Sequence, residues 1–253
     1  MTRAKVIELS AREARLKRLV RKHLRDMGFG RDPSGALVPP RFDKEAYRKF
    51  HQPQRLEKLE TNRRWLDRNQ AGLLKWFADG TDVRPLEIRP ELELISKETW
   101  QSDLFRLASL YWQVPVSDGY GRRMRFLVWD RANDKLIGIF ALGDAVFNQA
   151  ARDSYIGWDH HRRGEALVNL MDAYVLGALP PYSHLLGGKL VASLIPTQEV
   201  SDAFRSRYCD STGLISGEKK NARLAAVTTT SALGRSSVYN RLKLGNRQIF
   251  EPI

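Results

Sequence analysis

Residues 174–193, YVLGALPPYSHLLGGKLVAS, combine residue types that can hold an anion. An apolar, β-prone run ends at Pro180-Pro181. Ser183, Gly187, Gly188 and Lys189 follow, and then a helical pattern opens. The first turn of a helix offers unpaired N–H groups and the positive end of its dipole. Adjacent glycines let backbone approach a ligand closely. The expected occupant is a phosphate, free or carried by a cofactor.

A second set of candidates is acidic. Asp130, Asp144, Asp153, Asp159 and Asp172 fall at strand ends or in loops beside strands. Mg²⁺ takes oxygen ligands held on rigid elements, and two-metal phosphoryl transfer needs several carboxylates together. Asp144, Asp153, Asp159 and Asp172 are therefore candidate catalytic residues, with Asp153 and Asp159 as metal ligands in one loop. Arg152, Arg162 and Arg163 lie alongside, and arginine forks match phosphate geometry. The structural alternative is that these aspartates cap loops and pair with the arginines. The histidines show no metal-ligand spacing. Ser231, Ser236, Ser237 and Arg235 sit in TTTSALGRSS, a turn able to hold phosphate through backbone N–H groups.

A third set is basic. Arg122, Arg123 and Arg125 surround Met124 and Phe126. On a strand, Arg123 and Arg125 share one face and Met124 and Phe126 the other. The arginine face must be solvated, paired with acids, or set against a polyanion. Near the amino terminus, Ser10-Ala-Arg-Glu13 is a capping box. After it Leu16, Leu19, Val20, His23 and Met27 recur at helical spacing, and Gly28 stands where a helix stops. Arg12, Arg15, Arg18, Lys22 and Arg25 form a basic stripe on the other side.

The elements that must position these groups follow from periodicity. Residues 30–41 read as a loop. A short helix from Asp43 to about His51 is interrupted by Pro53, and a longer helix follows with Arg63 and Arg64 on its surface. The aromatics Phe50, Trp65, Trp76 and Phe77 are interleaved with the charges, and their helical spacing fits core packing better than base stacking. After Asp79-Gly80 the pattern changes. Residues 86–95 alternate as a strand, 97–113 read as a helix, and 122–143 as a hairpin around Arg131–Asp134. Strands at 167–179, 223–230 and 247–253 and helices at 198–208 and 236–243 complete the chain. A basic helical region, 1–80, thus precedes an α/β core, 81–253.

Of the net charge of +13, residues 1–75 carry +11, from twenty lysines and arginines against nine acids. That asymmetry points to a polyanionic partner: DNA, RNA or anionic lipid. An apolar fraction of 42% supports a real core, and the single cysteine rules out an intramolecular disulfide. No apolar run reaches the length of a membrane span and no secretory signal opens the chain. A cytoplasmic protein with no membrane partner is expected.

The element order from residue 86 resembles the GNAT-like acyltransferase fold: a mixed, mostly antiparallel sheet flanked by helices, here an α+β class preceded by the basic helical region. That family binds acyl-CoA at an Arg/Gln-x-x-Gly-x-Gly/Ala turn. The chain has His184-Leu-Leu-Gly187-Gly188-Lys189 there, without the leading Arg/Gln. The resemblance also implies a late-helix tyrosine acting as general acid, which falls on Tyr239.

The segments GYGRRMRFLVWD (119–130), KLIGIFALGD (135–144), RDSYIGWD (152–159), MDAYVLGALPPYSHLLGGKLVAS (171–193) and VTTTSALGRSSVYNRL (227–242) resemble the DruA family of Druantia anti-phage systems. Family members continue past the position of Phe250–Ile253. The resemblance implies a role in defence or mobile-element biology on nucleic acid, with defence-system or transposition proteins as partners. Three functions stay open: DNA binding with Mg²⁺-dependent processing, acyl transfer from acyl-CoA, and a scaffold that recruits a helicase or transposase. Arg12, Arg15, Arg18, Lys22, Arg25, Arg63, Arg64, Arg122, Arg123, Arg125, Arg152, Arg162, Arg163 and Arg235 are the expected nucleic-acid contacts.

Overall fold

The computed structural model describes residues 10–38, 40, 44–119, 121–212, 217, 219–231 and 238–253. Arg235, Ser236 and Ser237 lie outside them. The chain forms two compact units, one ending at Gln52 and one running from Pro53 to Ile253. The boundary expected near residue 80 falls inside the second unit, because Trp65, Leu66, Leu73, Trp76 and Phe77 pack into its core.

In the first unit, helix α1 (Ala11–Asp26) starts at the expected capping box. The Ser10 hydroxyl accepts the Glu13 N–H at 3.3 Å, and the Glu13 carboxylate accepts the Ser10 N–H at 2.8 Å. Gly28, at φ +83, closes the helix in the left-handed region, where glycine has no Cβ penalty. Within the expected loop, Gly30–Arg31 pairs with Leu37–Val38.

Helix α2 (Lys44–Leu74) runs through Pro53. The expected break is therefore not a break in the helix, although the division between the two units falls at the same point. Proline removes one helical hydrogen bond. Beyond it, burial of the Trp65, Leu66 and Leu73 side chains against the sheet holds the helix in place.

The second unit is built on a five-stranded sheet. Its elements are β1 (Pro90–Leu94), α3 (Trp100–Tyr111), β2 (Arg123–Asp130), β3 (Lys135–Asp144), α4 (Ala150–Ile156), α5 (His160–Ala166), β4 (Leu170–Ala178), α6 (Gly187–Ser193), α7 (Gln198–Tyr208) and β5 (Ala226–Thr228). The strands lie in the order β1-β2-β3-β4-β5. All neighbours are antiparallel except β4 and β5, which run parallel over Leu170–Asp172 only. This is the expected mixed, mostly antiparallel α+β class. The helix expected over 236–243 does not form in the described residues. Val238–Arg241 make a turn, and Lys243–Leu244 pairs with Arg247–Gln248.

Alternation on β2 divides the core between the two faces of the sheet. Met124, Phe126 and Val128 face the side that also gathers Val191 and Ile195 with Val200 and Phe204 of α7. Leu127 and Trp129 face the side covered by Leu104, Phe105, Leu107 and Ala108 of α3 and the end of α2. Each such buried side chain contributes about 1.5–3 kcal/mol. Trp129 also donates its indole N–H to Glu93 at 2.7 Å, which satisfies the one polar atom it buries.

Gly138 of β3 shows how closely the strands are packed: a Cβ there would lie 2.4 Å from the Gly177 carbonyl oxygen. Gly138→Ala is therefore expected to cost about 1–3 kcal/mol or more, since backbone must shift. Gly164→Ala in α5, where a Cβ meets nothing within 4 Å, is expected to stabilise by about 0.5–1 kcal/mol. Urea midpoints of the two variants should move in opposite directions.

Candidate nucleic-acid interface

The glycine turn before α6 is occupied by its own chain. Gly187 is buried, and a Cβ there would lie 2.6 Å from the Tyr182 carbonyl oxygen. Leu186 takes the left-handed conformation that starts the helix. The N–H of Ser183 is bonded to Leu179 and that of Lys189 to Leu186. Glycine at 187 is thus required by the turn itself, and α6 is only seven residues long. Gly188 is half-buried, with Val238 the nearest neighbour of a notional Cβ. Tyr182 donates to Asp130 at 2.9 Å, and Asp130 also accepts the N–H groups of Arg89 and Ala132. Tyr239 is held similarly. Its hydroxyl donates to the Leu176 carbonyl at 3.3 Å, and burial pushes its pKa up to about 12, so its proton is retained at neutral pH.

The four candidate aspartates each have separate partners. Asp144 accepts the Arg122 guanidinium at 2.6 Å and the Arg122 N–H at 3.0 Å. Asp153 lies in helix α4 rather than in a loop. It accepts Arg152 at 2.6 Å and Arg163 at 2.9 Å. Asp159 caps α5, accepting the Arg162 N–H at 2.7 Å. Asp172 accepts the Thr228 hydroxyl at 2.8 Å. Among the described residues, no group of three or more histidines, cysteines or acids could hold a metal ion.

These pairings correct three of the basic candidates. Arg122 binds Asp144 and the carbonyls of Val168 and Leu170. Arg152 is 1% exposed and Arg163 binds the same Asp153. All three neutralise internal carboxylates and are not surface cations. Arg162 remains exposed.

The remaining basic residues present two cationic surfaces. The first is α1. Arg12, Arg15, Arg18, Lys22 and Arg25 are all exposed, and none forms an ion pair among the described residues. On α2, Arg64 is exposed and Arg63 makes a solvent-exposed pair with Glu60 at 3.5 Å. Such exposed pairs contribute little.

The second surface is a cleft of about 1650 Å³ in the second unit, between the sheet, α2, α3 and the end of α7. Arg123 and Arg125 share the strand face expected of them and lie on its floor. Arg106 of α3 and Arg207 of α7 join them, as do Tyr174 and Tyr208. Arg106, Arg207 and Tyr174 carry no mark of a site in the sequence, because three separate elements bring them together. Among the described residues, every bond that orients these four guanidinium groups goes to a neutral group. Arg123 donates to the Gly119 carbonyl at 2.9 Å and Arg125 to the Ser102 hydroxyl at 3.4 Å. Arg106 donates to Asn62 at 2.6 Å, and Arg207 to the Ile95 carbonyl at 3.0 Å. The Tyr174 ring is half-buried with its pKa raised, mainly by burial. Gly119, at φ +65, comes so close to that ring that a Cβ would lie 2.8 Å from it.

Two aspartates give opposite pH signatures. Burial opposes ionisation of Asp153, but Arg163 and Arg152 outweigh it and hold the carboxyl below its usual range. A depressed carboxyl stabilises the fold above its unfolded pKa of about 3.9 and loses that contribution as pH falls through the folded value. Asp172 is raised by burial, which outweighs the opposing Thr228 bond. Its contribution is full below the unfolded pKa and declines as pH rises through the folded one. Asp153→Asn is expected to lower Tm at neutral pH, with the loss shrinking below about pH 4. Asp172→Asn is expected to leave Tm unchanged or raise it at neutral pH and to give no gain in acid. Thermal melts across pH check both signs.

Among the described residues no helix is long and apolar enough to cross a membrane. No solved structure matches the chain. The sequence profile described as Druantia protein DruA matches residues 41–253. A Druantia protein DruA from Escherichia coli (strain UMEA 4076-1) is 54% identical over 248 residues, covering 98% of this chain and 61% of that protein. The chain therefore spans about three fifths of the length of that relative. With the shared segments extending over nearly all of its residues, this chain belongs to the DruA family.

Proposed function

We propose that this chain is a nucleic-acid-binding component of a Druantia-type anti-phage defence system and grips the phosphate backbone of DNA through α1. One observation carries this: α1 holds seven lysines and arginines on exposed positions, the five of the expected stripe with Lys17 and Arg21, and no carboxylate pairs with any of them among the described residues. Lysine and arginine on a regular helix, free of internal partners, supply the sequence-independent part of nucleic-acid affinity. The internal pairing of Arg122, Arg152 and Arg163 removes those three from the binding surface. Other proteins of the same defence system are the expected partners.

The affinity for duplex DNA is expected to fall steeply with salt. Replacing Arg12, Arg15, Arg18, Lys22 and Arg25 together with glutamine should flatten the slope of log K against log salt by up to about 4.5, at roughly 0.9 for each phosphate that is no longer neutralised. Anisotropy titrations at several salt concentrations measure it. An unchanged slope overturns the assignment.

Acyl transfer on a GNAT-like core is the second reading. It is favoured by the parallel pairing of β4 and β5, which stops after Asp172 and, among the described residues, leaves the rest of β4 without a strand partner on that side. Acetyl-CoA at a hundred times its Kd should then stabilise the protein by about 2.7 kcal/mol. Absence of a thermal shift at saturating acetyl-CoA removes this reading.

A further inference from the structure

We propose that the cleft between the sheet, α2 and α3 receives an extended single-stranded nucleic-acid segment, its phosphates on Arg123, Arg125 and Arg207. This builds on the nucleic-acid binding proposed for α1 but uses a separate surface, in the second unit.

Charge supports it first. A guanidinium carries five N–H donors and stays protonated at all accessible pH values. Among the described residues, Arg123, Arg125, Arg106 and Arg207 commit only some of their donors, all to neutral carbonyl, hydroxyl or amide oxygens. Their positive charge is oriented but not neutralised, and oriented forks with spare donors fit phosphate oxygens. Acids also line the cleft: Glu57, Glu98, Asp103 and Asp118. Among the described residues only Asp118 approaches a cation, Lys58 at 4.0 Å, and Asp118 is itself almost fully exposed. These acids come from α2, α3 and the loops that form the walls, whereas Arg123 and Arg125 come from the sheet. Lys58, Lys97 and Arg106 share those walls with the acids, whereas the only charged groups the sheet adds to the cleft are the two arginines, so the floor is where a phosphate meets unmixed positive charge.

Shape and spacing make the ligand a polymer. Small-molecule sites run to roughly 300–1,000 Å³, and this cleft holds about 1650 Å³. Arg123 and Arg125 are two residues apart on one strand, about 6.6 Å along it. That is the scale of one step of a stretched nucleotide chain. Arg125 is half-buried at the foot of α3, with its guanidinium carbon 5.6 Å from the Phe105 ring. A guanidinium at that depth is reached more readily by a single strand than by the broad side of a duplex. Half-buried Tyr174 and Tyr208 line the same space, and an aromatic surface beside a basic track is how sequence-tolerant single-strand sites hold bases.

The test uses the full chain with a fluorescent oligothymidylate and with duplex DNA. Arg123→Gln with Arg125→Gln, and separately Arg207→Gln, should weaken oligothymidylate binding by about tenfold or more and leave duplex binding unchanged. Replacing Arg12, Arg15, Arg18, Lys22 and Arg25 of α1 with glutamine should do the reverse. In the unaltered protein, an oligonucleotide carrying 5-iodouracil should photocrosslink to Tyr174 or Tyr208. Retained single-strand affinity in both cleft variants overturns the proposal, as do crosslinks confined to α1. So does thymidine monophosphate competing as well as the oligonucleotide, which would make the ligand a free nucleotide. If the α1 variant keeps its duplex affinity while the cleft variants lose the oligonucleotide, the α1 assignment fails and the cleft stands.

Discussion

Strand β2 is paired on both sides, and its register controls most of what lies around it. Pairing with β1 and β3 fixes which side chains face which layer. Met124, Phe126 and Val128 enter one core, and Leu127 and Trp129 the other. Arg123 and Arg125 then fall on the second face, beyond the point where α3 seals it. A slip of one residue would drive both guanidinium groups into the first core and expose the Met124 and Phe126 side chains. The energetic cost of that error is large, because an unpaired cation buried in an apolar layer is among the most costly groups to accommodate. The burial that secures the fold therefore also places the two arginines at the base of the cleft.

The internal ion pairs divide the arginines into two populations. Arg122, Arg152 and Arg163 hold together the junctions around β3, α4 and α5 by binding Asp144 and Asp153. Removing one partner of such a pair leaves a charge without compensation, which is why their role is structural. The arginines of α1 and of the cleft lack acidic partners among the described residues. Net charge alone does not separate these groups, since each arginine counts equally in it.

Much of this was legible in the chain itself. The α1 helix, with its Ser10-Glu13 box and Gly28 stop, follows from local chemistry and forms as expected. So do the β2–β3 hairpin and α7, because their apolar patterns have a single regular solution. Pro53 misleads because its cost is local, whereas the packing of Trp65 and Leu73 that sustains α2 is tertiary. The glycine turn misleads for a related reason. A glycine needed for close approach looks the same in sequence whether the approaching atom is a ligand's or, as at Gly187, a carbonyl of its own chain. Asp153 and Asp159 fell within one short segment, but α4 and α5 give them different partners. The cleft was visible only as the shared face of Arg123 and Arg125. Arg106, Arg207 and Tyr174 lie on other elements, and the topology of the sheet is what assembles them.

The arginines lining the cleft have one further consequence. Guanidinium groups do not titrate in any cellular condition, and the oxygens that aim them are carbonyl, amide and hydroxyl groups that do not titrate there either. A grip built this way has no proton-operated release. Letting go of a bound strand would require a rival polyanion, a change in the strand's own pairing, or movement of α3 against the sheet.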